Sequence, residues 1–535
     1  MTAPDSARCA DSGFEPAQML KPEIYPHSVT RLEVRETNIS WVILTGPFAY
    51  KINKSIRLEF IDASTLARRR HLCEEALRLN RRLSGDLYLD VVAITQEPAG
   101  LRIAGPGPIV EYALRMRQFE AAQELSALLD RDEASAQEFV DLARRLARFH
   151  ENAPRAPFSR DYANTAHLHD AVLGNLATLL SHLDADTVLP EMGFLIDWTH
   201  DYLHDSLEQL RMREHCGFVR ECHGDLHARN IVRWRGQLTP FDCLEFDPSL
   251  RWIDVMSDVA FLVMDLTARG RRDLASVFLN AYLERTGDYA GVRHLSFYSV
   301  YRALVRAMVD SIGAENDSAR RREFQARLRM RVKAAGACLD RPAPRLIIMH
   351  GLSGSGKSWL SERLVPLLGA VRLRSDVERK RLGNVPMSVA RRVGFEEGIY
   401  VPEMSRRTYG RLLECAQSCL KGGMDVIVDA AFLKGADRRL FRDLAAREGC
   451  RFMIVTCEAD PAALAQRIRA RRQSCADPSD ADVEVLNRQM QNSEPLSADE
   501  QSMLIEIDTA DSQASRKAFA AIQERQSIES TSPAD

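Results

Sequence analysis

Residues 222–230, CHGDLHARN, hold a histidine, an aspartate and an asparagine in the fixed spacing H-x-D-x-x-x-x-N. Transfer of a phosphoryl group from ATP needs a carboxylate that orients the attacking hydroxyl and accepts its proton, and it needs oxygen ligands for Mg²⁺. Asp225 suits the first role and Asn230 suits the second. The next stretch, IVRWRGQLTPFD, predicts two strands joined by a short turn. It ends at Asp242, which would supply a second metal ligand.

A second motif for the same chemistry lies in LIIMHGLSGSGKSWLSERL. An apolar strand, the pattern G-x-x-x-x-G-K-S and a helix follow one another, which is the context that makes a phosphate-binding P-loop credible. Backbone amides of the loop would cradle the phosphates, the lysine would reach the β- and γ-phosphate oxygens, and the last serine would bind Mg²⁺. The predicted nucleotide-binding residues are Gly351, Ser353, Gly354, Ser355, Gly356, Lys357 and Ser358.

Charged residues after the P-loop complete this second predicted site. Asp376 and Arg379 form a D-x-x-R pattern at the end of a predicted strand, where the aspartate could act as base for an acceptor hydroxyl and the arginine could bind a phosphate. The buried strand GMDVIVD ends at Asp429, a candidate Walker B carboxylate near Mg²⁺. Arg467 and Arg471 are four residues apart on one predicted helix, as lid arginines are when they close on ATP.

The elements that must position these residues change in character along the chain. SWVILTG, AYKINK, LDVVAIT and GPIVEYAL predict short strands, with a helix over residues 64–83 between them. After residue 117 the pattern is mostly helical up to residue 333. The sequence therefore predicts an α+β bilobal domain with a β-rich and a helical lobe. An α/β P-loop domain with a mostly parallel sheet follows it.

Domain limits follow from composition. Pro342 and Pro344 stop a long helical pattern just before the P-loop strand begins. We therefore predict a first domain over residues 26–341 and a P-loop domain over residues 342–515. Residues 1–25 and the tail 516–535 are predicted to be largely disordered.

The first half resembles the aminoglycoside phosphotransferase family, a branch of the protein-kinase-like fold. The resemblance rests on HGDLHARN together with FDCLEFDPSLRWIDVMSDVAFL and covers roughly residues 30–335. It implies that Asp225 is the catalytic base and that Asn230 and Asp242 hold Mg²⁺. The glycine-rich pattern G-x-G-x-x-G is missing over the expected phosphate site, and the family commonly lacks it too.

The same resemblance implies further nucleotide-binding residues. A lysine on an early strand should contact the ATP phosphates, and AYKINK offers Lys51, with Lys54 as the less favoured choice. Its helix partner would be Glu75, for which an ordinary place on the helix surface is the alternative. VEYALRM would meet adenine through backbone groups near Glu111 and Ala113. Two later acids, Asp254 and above all Asp258, would brace the catalytic loop.

The second half resembles the P-loop small-molecule and polynucleotide kinases, including the zeta-toxin-like branch, over roughly residues 345–510. The two halves together resemble a bacterial group described as bifunctional aminoglycoside phosphotransferase-like and ATP-binding (AAA-type ATPase) proteins. A single P-loop without further signatures of ring-forming ATPases fits a kinase better than a ring motor.

Composition restricts the classes of partner. The 535 residues carry a net charge of −3, which gives no global reason to expect nucleic acid or an anionic membrane as partner. No run of eighteen apolar residues predicts a membrane span, and the N-terminus lacks the apolar segment of a secretory signal. The eleven cysteines contain no CxxC pair. We expect a cytoplasmic protein with reduced thiols, whose oligomeric state the sequence leaves open.

The leading hypothesis is an ATP- and Mg²⁺-dependent phosphotransferase with two nucleotide sites that acts on a hydroxyl of a small molecule. Ten acids against two arginines between residues 161 and 216 would suit a cationic acceptor such as an amino sugar or polyamine, and a solvated helix pair is the alternative. Two other hypotheses stay open. In one, only the P-loop half is a kinase, acting on a small molecule or a polynucleotide 5′-hydroxyl, and the first half is regulatory. In the other, the chain is an ATP-gated interaction module.

Overall fold

The computed structural model describes residues 14–58, 61–156, 164–181, 190–314, 318–339, 342–386, 401–474 and 483–529. The strands, in chain order, are β1 (Glu33–Glu36), β2 (Ser40–Leu44), β3 (Phe48–Asn53), β4 (Arg57–Leu58), β5 (Ile61–Asp62), β6 (Tyr88–Glu97), β7 (Gly100–Ile103), β8 (Ile109–Arg117), β9 (Val219–Glu221), β10 (Ile231–Trp234), β11 (Gln237–Pro240), β12 (Trp252–Asp254), β13 (Arg345–His350), β14 (Val371–Arg374), β15 (Val426–Asp429), β16 (Arg451–Glu458) and β17 (Leu504–Asp508).

The α-helices are α1 (Leu66–Ser84), α2 (Leu125–Asp130), α3 (Ala136–Asn152), α4 (Thr165–Ser181), α5 (Pro190–His215), α6 (Val255–Ala268), α7 (Arg272–Thr286), α8 (Leu295–Ala314), α9 (Ser318–Leu339), α10 (Lys357–Leu368), α11 (Ser375–Leu382), α12 (Pro402–Lys421), α13 (Gly435–Arg447), α14 (Pro461–Ser474), α15 (Val483–Asn492), α16 (Ala498–Gln501) and α17 (Ala514–Glu529). The chain divides into two compact units. The first unit comprises residues 1–265 and 301–333, and the second comprises residues 266–300 and 334–535.

The first unit begins with a six-stranded antiparallel sheet of order β1-β2-β3-β8-β6-β7. Successive side chains of a strand point to opposite faces. Tyr50 and Ile52 of β3 therefore face one apolar layer, in which they pack with Ile43 and Ile94. Lys51 points to the opposite face of the sheet. Helix α1 also packs against the sheet, so the lysine that sequence analysis selected faces the interior of the unit.

The N-terminal segment is ordered from residue 14, where the sequence predicted disorder up to residue 25. Two short 3₁₀ helices, Pro16–Met19 and Pro22–Ile24, bring Phe14, Met19 and Tyr25 into the apolar layer beside Tyr50. The segment is poor in apolar residues, but the few it has cover a sheet face that would otherwise be exposed to water. Composition alone therefore underestimated its order.

The rest of the first unit is mostly helical and carries residues 222–230 between short strands. β9 pairs with β12, and β10 forms an antiparallel hairpin with β11. The turn of the hairpin consists of Arg235 and Gly236, both with positive φ (50° and 76°), as the tight turns that suit the strand twist require. A strand-rich lobe followed by a helical lobe confirms the predicted α+β bilobal kinase-like fold.

The second unit contains a five-stranded sheet of order β14-β15-β13-β16-β17, and every pair in it is parallel. The central strands β13 and β15 read LIIM and VIVD and are almost entirely buried, as expected of strands covered on both faces. The predicted α/β P-loop fold is confirmed. Residues 266–300, which include α7, also belong to this unit, whereas the sequence-based boundary placed them in the first domain.

The C-terminal residues differ from the prediction of a disordered tail after residue 515. Helix α17 begins at Ala514 and buries Ala514, Ala518 and Ile522 in the core beneath the sheet, next to Ile505 of β17. The three residues are spaced four apart, so they form one apolar face. Two of the three are alanines, which contribute little to a hydrophobic pattern, so the sequence did not reveal the face.

Most cysteines of the described residues lie in the protein interior. Its cysteines are free thiols, and six of them are buried. Cys415 and Cys419 lie on the buried face of α12, and burial raises the pKa of Cys415 to about 12. Among the described helices we find none that is long and apolar enough to cross a bilayer.

Candidate active sites

The loop predicted to be catalytic, residues 222–230, is fixed by a buried carboxylate. Asp258, near the start of α6, accepts hydrogen bonds from the backbone amides of His223 (2.8 Å) and Gly224 (2.9 Å). The Nε2 atom of His150 lies 3.2 Å from the same carboxylate. All these groups are buried or nearly so, and hydrogen bonds to a buried ionised carboxylate are strong. Asp258 therefore holds the backbone of the loop, as the resemblance predicted.

Asp225 is held by its own loop. Its Oδ2 atom accepts a hydrogen bond from Asn230 Nδ2 at 2.8 Å, and His227 Nε2 lies 3.3 Å from the same oxygen. Burial tends to raise the pKa of Asp225, but the His227 ring and the Arg306 guanidinium outweigh it, and the pKa lies below its usual value. A quarter of the side chain (25%) stays exposed, so an acceptor hydroxyl can reach an ionised, oriented carboxylate.

Asp242 lies beside this loop and is paired with Lys51. Lys51 Nζ donates to Asp242 Oδ1 at 2.7 Å. The amide of Phe241 donates to Asn230 O at 2.9 Å, which fixes the two segments side by side. Asp242 has a positive φ of 63° and donates its backbone amide to the Tyr88 hydroxyl at 3.0 Å. An aspartate can adopt this left-handed conformation, and such backbone is common at functional sites.

Glu245 is a member of this site that the sequence analysis missed. Its Oε1 atom lies 3.4 Å from Lys51 Nζ, and its side chain is almost fully buried. Burial raises the pKa of Glu245, whereas Asp242 and Glu245 together hold the pKa of Lys51 well above normal although burial alone would lower it. An acid three residues after Asp242 in the apolar stretch FDCLEF is the signal that could have identified it.

Two predictions for the nucleotide pocket do not match the structure. Glu75 hydrogen-bonds Arg78 and lies 3.5 Å from Arg251, so it is not the partner of Lys51. Glu111 and Ala113 lie inside β8, which leaves the sheet only after residue 117. The Glu111 carboxylate forms a buried pair with Arg69 at 2.8 Å. Neither residue is therefore at the end of the strand, where backbone groups that are not paired in the sheet could meet adenine.

The P-loop of the second unit connects β13 to α10. Gly356 caps α10 with a φ of 91°, and a side chain at this position would approach Thr509 to 2.9 Å. Gly354 is equally constrained, because a Cβ atom there would lie 2.7 Å from Leu464 O. Lys357 Nζ folds back onto its own loop and donates to Gly351 O (2.8 Å) and Leu352 O (2.7 Å). The helix N-terminus and the lysine are thus placed as an anion-binding loop requires.

Ser358 and Asp429 meet at the carboxyl end of the sheet. Ser358 Oγ donates to Asp429 Oδ1 at 3.1 Å. The other oxygen, Oδ2, is buried and accepts no hydrogen bond from the described residues, although Arg374 Nε lies 3.9 Å away. A hydroxyl and an orphaned carboxylate oxygen are the hard oxygen donors that Mg²⁺ prefers. The two residues therefore fit the predicted metal site.

Asp376 and Arg379 both lie on α11, which starts directly after β14. They are three residues apart and so share a face of the helix. Arg374, the last residue of β14, pairs in register with Asp429 of β15, so α11 begins beside that aspartate. Helix α12, which carries Tyr409, packs against α11. The Tyr409 hydroxyl accepts a hydrogen bond from Phe432 N, two residues beyond the β15–loop junction at Ala430. The D-x-x-R pair thus lies at the same sheet edge as Asp429.

Arg467 contacts the P-loop directly. One guanidinium nitrogen donates to Thr509 Oγ1 at 2.8 Å and lies 3.4 Å from Gly354 O. Thr509 Oγ1 in turn lies 2.7 Å from Ser355 O. Arg467 thus stabilises the P-loop through Thr509 and the Gly354 carbonyl. The side chain of Arg471, the other predicted lid arginine, lies outside the described residues.

Replacing Arg467 by alanine should weaken ATP binding at the P-loop about tenfold, because the loop loses hydrogen bonds worth about 1–2 kcal/mol. Calorimetric titration of the full chain with a non-hydrolysable ATP analogue measures this affinity. Arg469→Ala is the matched control, since Arg469 is exposed on the same helix. Equal affinities for the two variants would show that Arg467 does not support the loop.

Gln489 is a second residue that sequence analysis did not identify. Its Oε1 atom accepts a hydrogen bond from the backbone amide of Ser353 at 2.8 Å. Gln489 lies on α15, far from the P-loop in sequence, and no motif marks it. The contact shows that one amide of the predicted phosphate cradle already has an oxygen partner, which an incoming phosphate oxygen would have to replace.

The acidic stretch predicted to attract a cation is partly described. Asp161, Asp184, Asp186 and the side chain of Glu191 lie outside the described residues. The side chains of Asp170, Asp197, Asp201, Asp205 and Glu208 are exposed. The last four are spaced three or four residues apart on α5 and so share one helix face. Glu214 instead binds Thr165 N (2.9 Å), and Arg213 pairs with Asp254. The use of this exposed stripe by a cationic acceptor stays a prediction.

One family model matches part of the second unit, and solved structures match either half of the chain. Residues 346–496 match the AAA domain family AAA_33. Among solved structures, a choline/ethanolamine kinase family protein from Mesorhizobium loti is 16% identical, with a TM-score of 0.38, over 61% of this chain and 95% of that one. A gluconokinase from Sinorhizobium meliloti is 20% identical, with a TM-score of 0.27, over 36% of this chain and 99% of that one.

Longer similarity is found with mycobacterial proteins. The uncharacterized protein Rv2004c of Mycobacterium tuberculosis (strain ATCC 25618 / H37Rv) is 30% identical over 443 residues, which is 82% of this chain and 86% of that protein. The uncharacterized protein Mb2027c of Mycobacterium bovis shows the same identity and coverage. The match spans most of both chains, and the chain therefore belongs to the family of these mycobacterial proteins.

Proposed function

We propose that the chain is an ATP-dependent phosphotransferase with two nucleotide sites, which transfers the γ-phosphate of Mg·ATP to a hydroxyl of a small molecule. One observation carries the proposal. Each unit brings a lysine suited to phosphate together with oxygen ligands suited to Mg²⁺. In the first, Lys51 donates to Asp242. In the second, Lys357 folds onto the P-loop carbonyls, and the next residue, Ser358, donates to Asp429.

In the first unit, Asp225 would orient the acceptor hydroxyl and take its proton. The lowered pKa of Asp225 makes it a weak base, which suits a largely dissociative transfer in which the proton leaves late. Lys51 would bind the ATP phosphates, and Glu245 would keep it protonated and in place. Asn230 and Asp242 would hold Mg²⁺, which when bound neutralises charge on the phosphate oxygens.

In the second unit, the P-loop amides and Lys357 would hold the phosphates, while Ser358 and Asp429 would hold the metal ion. Asp376 lies in the first turn of α11, directly after β14, and would act as base for the acceptor hydroxyl. Arg379, on the same helix face, would bind the phosphate or an anionic group of the acceptor. The free thiols and the requirement for ATP support a place in the cytoplasm.

The acceptor of the first unit would be a small hydroxylated molecule, for which the exposed acidic stripe on α5 favours a positive charge. Acidic surfaces concentrate cations by long-range attraction, so such an acceptor would bind more weakly at high salt. An amino sugar or an aminoglycoside-like compound has the required charge and hydroxyl groups. The net charge of −3 speaks against a polynucleotide acceptor.

Titration with a non-hydrolysable ATP analogue tests the two sites. We expect two molecules of nucleotide per chain, of which Lys51→Met removes one and Lys357→Ala the other. Lys51→Met should preserve the fold because the pKa of buried Glu245 is already raised, so that Glu245 can take up a proton when its cation is lost. Lys54→Met is the matched control, since Lys54 lies one residue beyond the same strand and pairs with Glu36 instead of Asp242.

Transfer of label from γ-labelled ATP into amino sugars, aminoglycosides, nucleosides and a 5′-hydroxyl oligonucleotide then separates the hypotheses. If Lys357→Ala abolishes the transfer and Lys51→Met does not, the P-loop unit is the kinase and the first unit is regulatory. Binding of one nucleotide in the native chain would contradict the two-site proposal. Hydrolysis of ATP without any labelled acceptor would favour the ATP-gated interaction module.

A further inference from the structure

Helix α7 covers β14, the outermost strand of the P-loop sheet, although the sequence-based boundary placed α7 in the first domain. Asn280 of α7 donates through Nδ2 to Ala370 O at 2.9 Å and accepts from Arg372 N at 2.6 Å. Its amide therefore takes the place of a neighbouring strand at β14, the outermost strand of the sheet. Edge strands need such cover because their backbone groups are otherwise unpaired. The position of β14 is thus set by α7.

Glu284 lies one turn after Asn280 on the same face of α7. Its Oε1 atom accepts a hydrogen bond from Arg374 at 3.0 Å, and its Oε2 atom lies 3.5 Å from Arg372. Arg374 is the last residue of β14 and only 12% of its side chain is exposed. On its other side, Arg374 Nε lies 3.9 Å from Asp429 Oδ2. One guanidinium thus lies between a carboxylate of α7 and the predicted metal carboxylate.

The same end of α7 also fixes α11, the helix that carries Asp376. Arg381 donates to Glu284 O at 2.7 Å and to Arg285 O at 3.2 Å. These are carbonyl groups of the last turn of a helix, where partial negative charge accumulates and a cation is favoured. The end of β14 and the C-terminal end of α11 are therefore both anchored to α7. Arg374 lies between the two anchors and has little freedom to move.

We propose that Arg374 binds the γ-phosphate of ATP at the P-loop site and that Glu284 is the residue that positions it. Arg374 pairs in register with Asp429, whose carboxylate holds Ser358 Oγ. Ligands of parallel α/β sheets bind at the carboxyl ends of the strands, which is where both residues lie. A planar guanidinium matches the geometry of phosphate oxygens and can stabilise their charge during transfer.

The contact with Glu284 gives this arrangement a physical advantage. An arginine that must be ordered when ATP arrives loses side-chain entropy, which weakens binding. Glu284 fixes the guanidinium before ATP binds and compensates its charge within a largely buried setting. The inference rests on the proposed function, because it assigns a further residue to the P-loop nucleotide site.

Selectivity for ATP over ADP tests the proposal, since only ATP carries the γ-phosphate. We would titrate the full chain carrying Lys51→Met, so that only the P-loop site is measured, with ADP and with a non-hydrolysable ATP analogue. Arg374→Gln should weaken binding of the ATP analogue about tenfold or more and leave ADP binding unchanged. Glu284→Gln should cause a smaller loss, about threefold, of the same selectivity, and Arg374→Lys should restore part of it.

Arg363→Gln is the control, because Arg363 lies on α10 of the same unit, where it is exposed and stacks on Trp359. It should leave the ratio of the two affinities unchanged. Equal weakening of both nucleotides by Arg374→Gln, in a chain with a normal circular dichroism spectrum, would overturn the proposal. Loss of all nucleotide binding in the parent chain, or binding that survives Lys357→Ala, would instead contradict the proposed function of this unit.

Discussion

Replacing Asp225 by asparagine is expected to lower phosphoryl transfer at the site of the first unit about a thousandfold, with the affinity for ATP nearly unchanged. Asparagine keeps the size of the side chain and can still hydrogen-bond Asn230, but it cannot accept the proton of the acceptor. The rate is measured with labelled ATP in a chain carrying Lys357→Ala, so that only the first unit contributes. Asp247→Asn is the matched control, because Asp247 caps a nearby turn and asparagine caps equally well.

The pH dependence of the same rate gives an independent check. The pKa of Asp225 is lowered from its usual value of 3.8, so the carboxylate stays ionised as the pH falls from neutral to about 4. We therefore expect no loss of activity from protonation of this group over that range. A rate that halves near pH 6, with a pKa that disappears in Asp225→Asn, would mean that the geometry of the loop in the active complex is different.

Removing the carboxylate that braces the catalytic loop should destabilise the first unit strongly. Asp258→Ala leaves the amides of His223 and Gly224 without their acceptor in a buried place, and breaking such an arrangement costs about 3–5 kcal/mol. The cost is measured as the shift of the first transition in urea unfolding. Asp141→Ala is the matched control, because Asp141 is exposed on α3, and it should shift this transition by less than about 0.5 kcal/mol.

Lowering the pH should also destabilise the first unit of the native chain, because it protonates Asp258. The pKa of Asp258 is lowered in the folded state by His150 and the His223 amide, although burial alone would raise it. The unfolded chain therefore binds this proton at higher pH than the folded chain. The stabilisation is complete above the unfolded value of about 3.8 and is lost as the pH falls from there towards the folded pKa. Asp258→Ala should show a correspondingly weaker dependence in this range, and an unchanged dependence would argue against the ionised brace.

Contacts between residues that are close in the chain can be predicted well from the sequence. Asp225 and Asn230 are five residues apart, and their hydrogen bond follows from the conformation of one short loop. The hairpin before Asp242 is fixed by its glycine-containing turn. Ser358 and Asp429 are far apart in the chain, yet both follow buried strands of one parallel sheet, and such strands present their carboxyl ends at one edge.

Contacts that depend on packing between distant elements were beyond the sequence. The resemblance implied that Lys51 binds the ATP phosphates with Glu75 of α1 as its partner. In the structure Lys51 pairs with Asp242, and Glu75 pairs with Arg78. Arg78 and Arg251 both contact Glu75, whereas Glu245, which follows β11 in the chain, contacts Lys51. Likewise nothing in the pattern of Asn280 or Glu284 indicates a contact with β14. Polar residues on a helix look alike in sequence whether they meet water or the edge of a sheet.

The cover that α7 provides for β14 also determines the order in which the chain can mature during synthesis. A ribosome releases residues 266–300 well before the P-loop sheet exists, so this helix must wait for its strand while about seventy residues are added. Its apolar and acidic face would be exposed during that interval. A fragment that starts at the proline boundary would in turn expose the backbone of β14 to other chains, which is a route to intermolecular β-pairing. We therefore expect a P-loop fragment cut at the proline boundary to aggregate more readily than one that also contains α7.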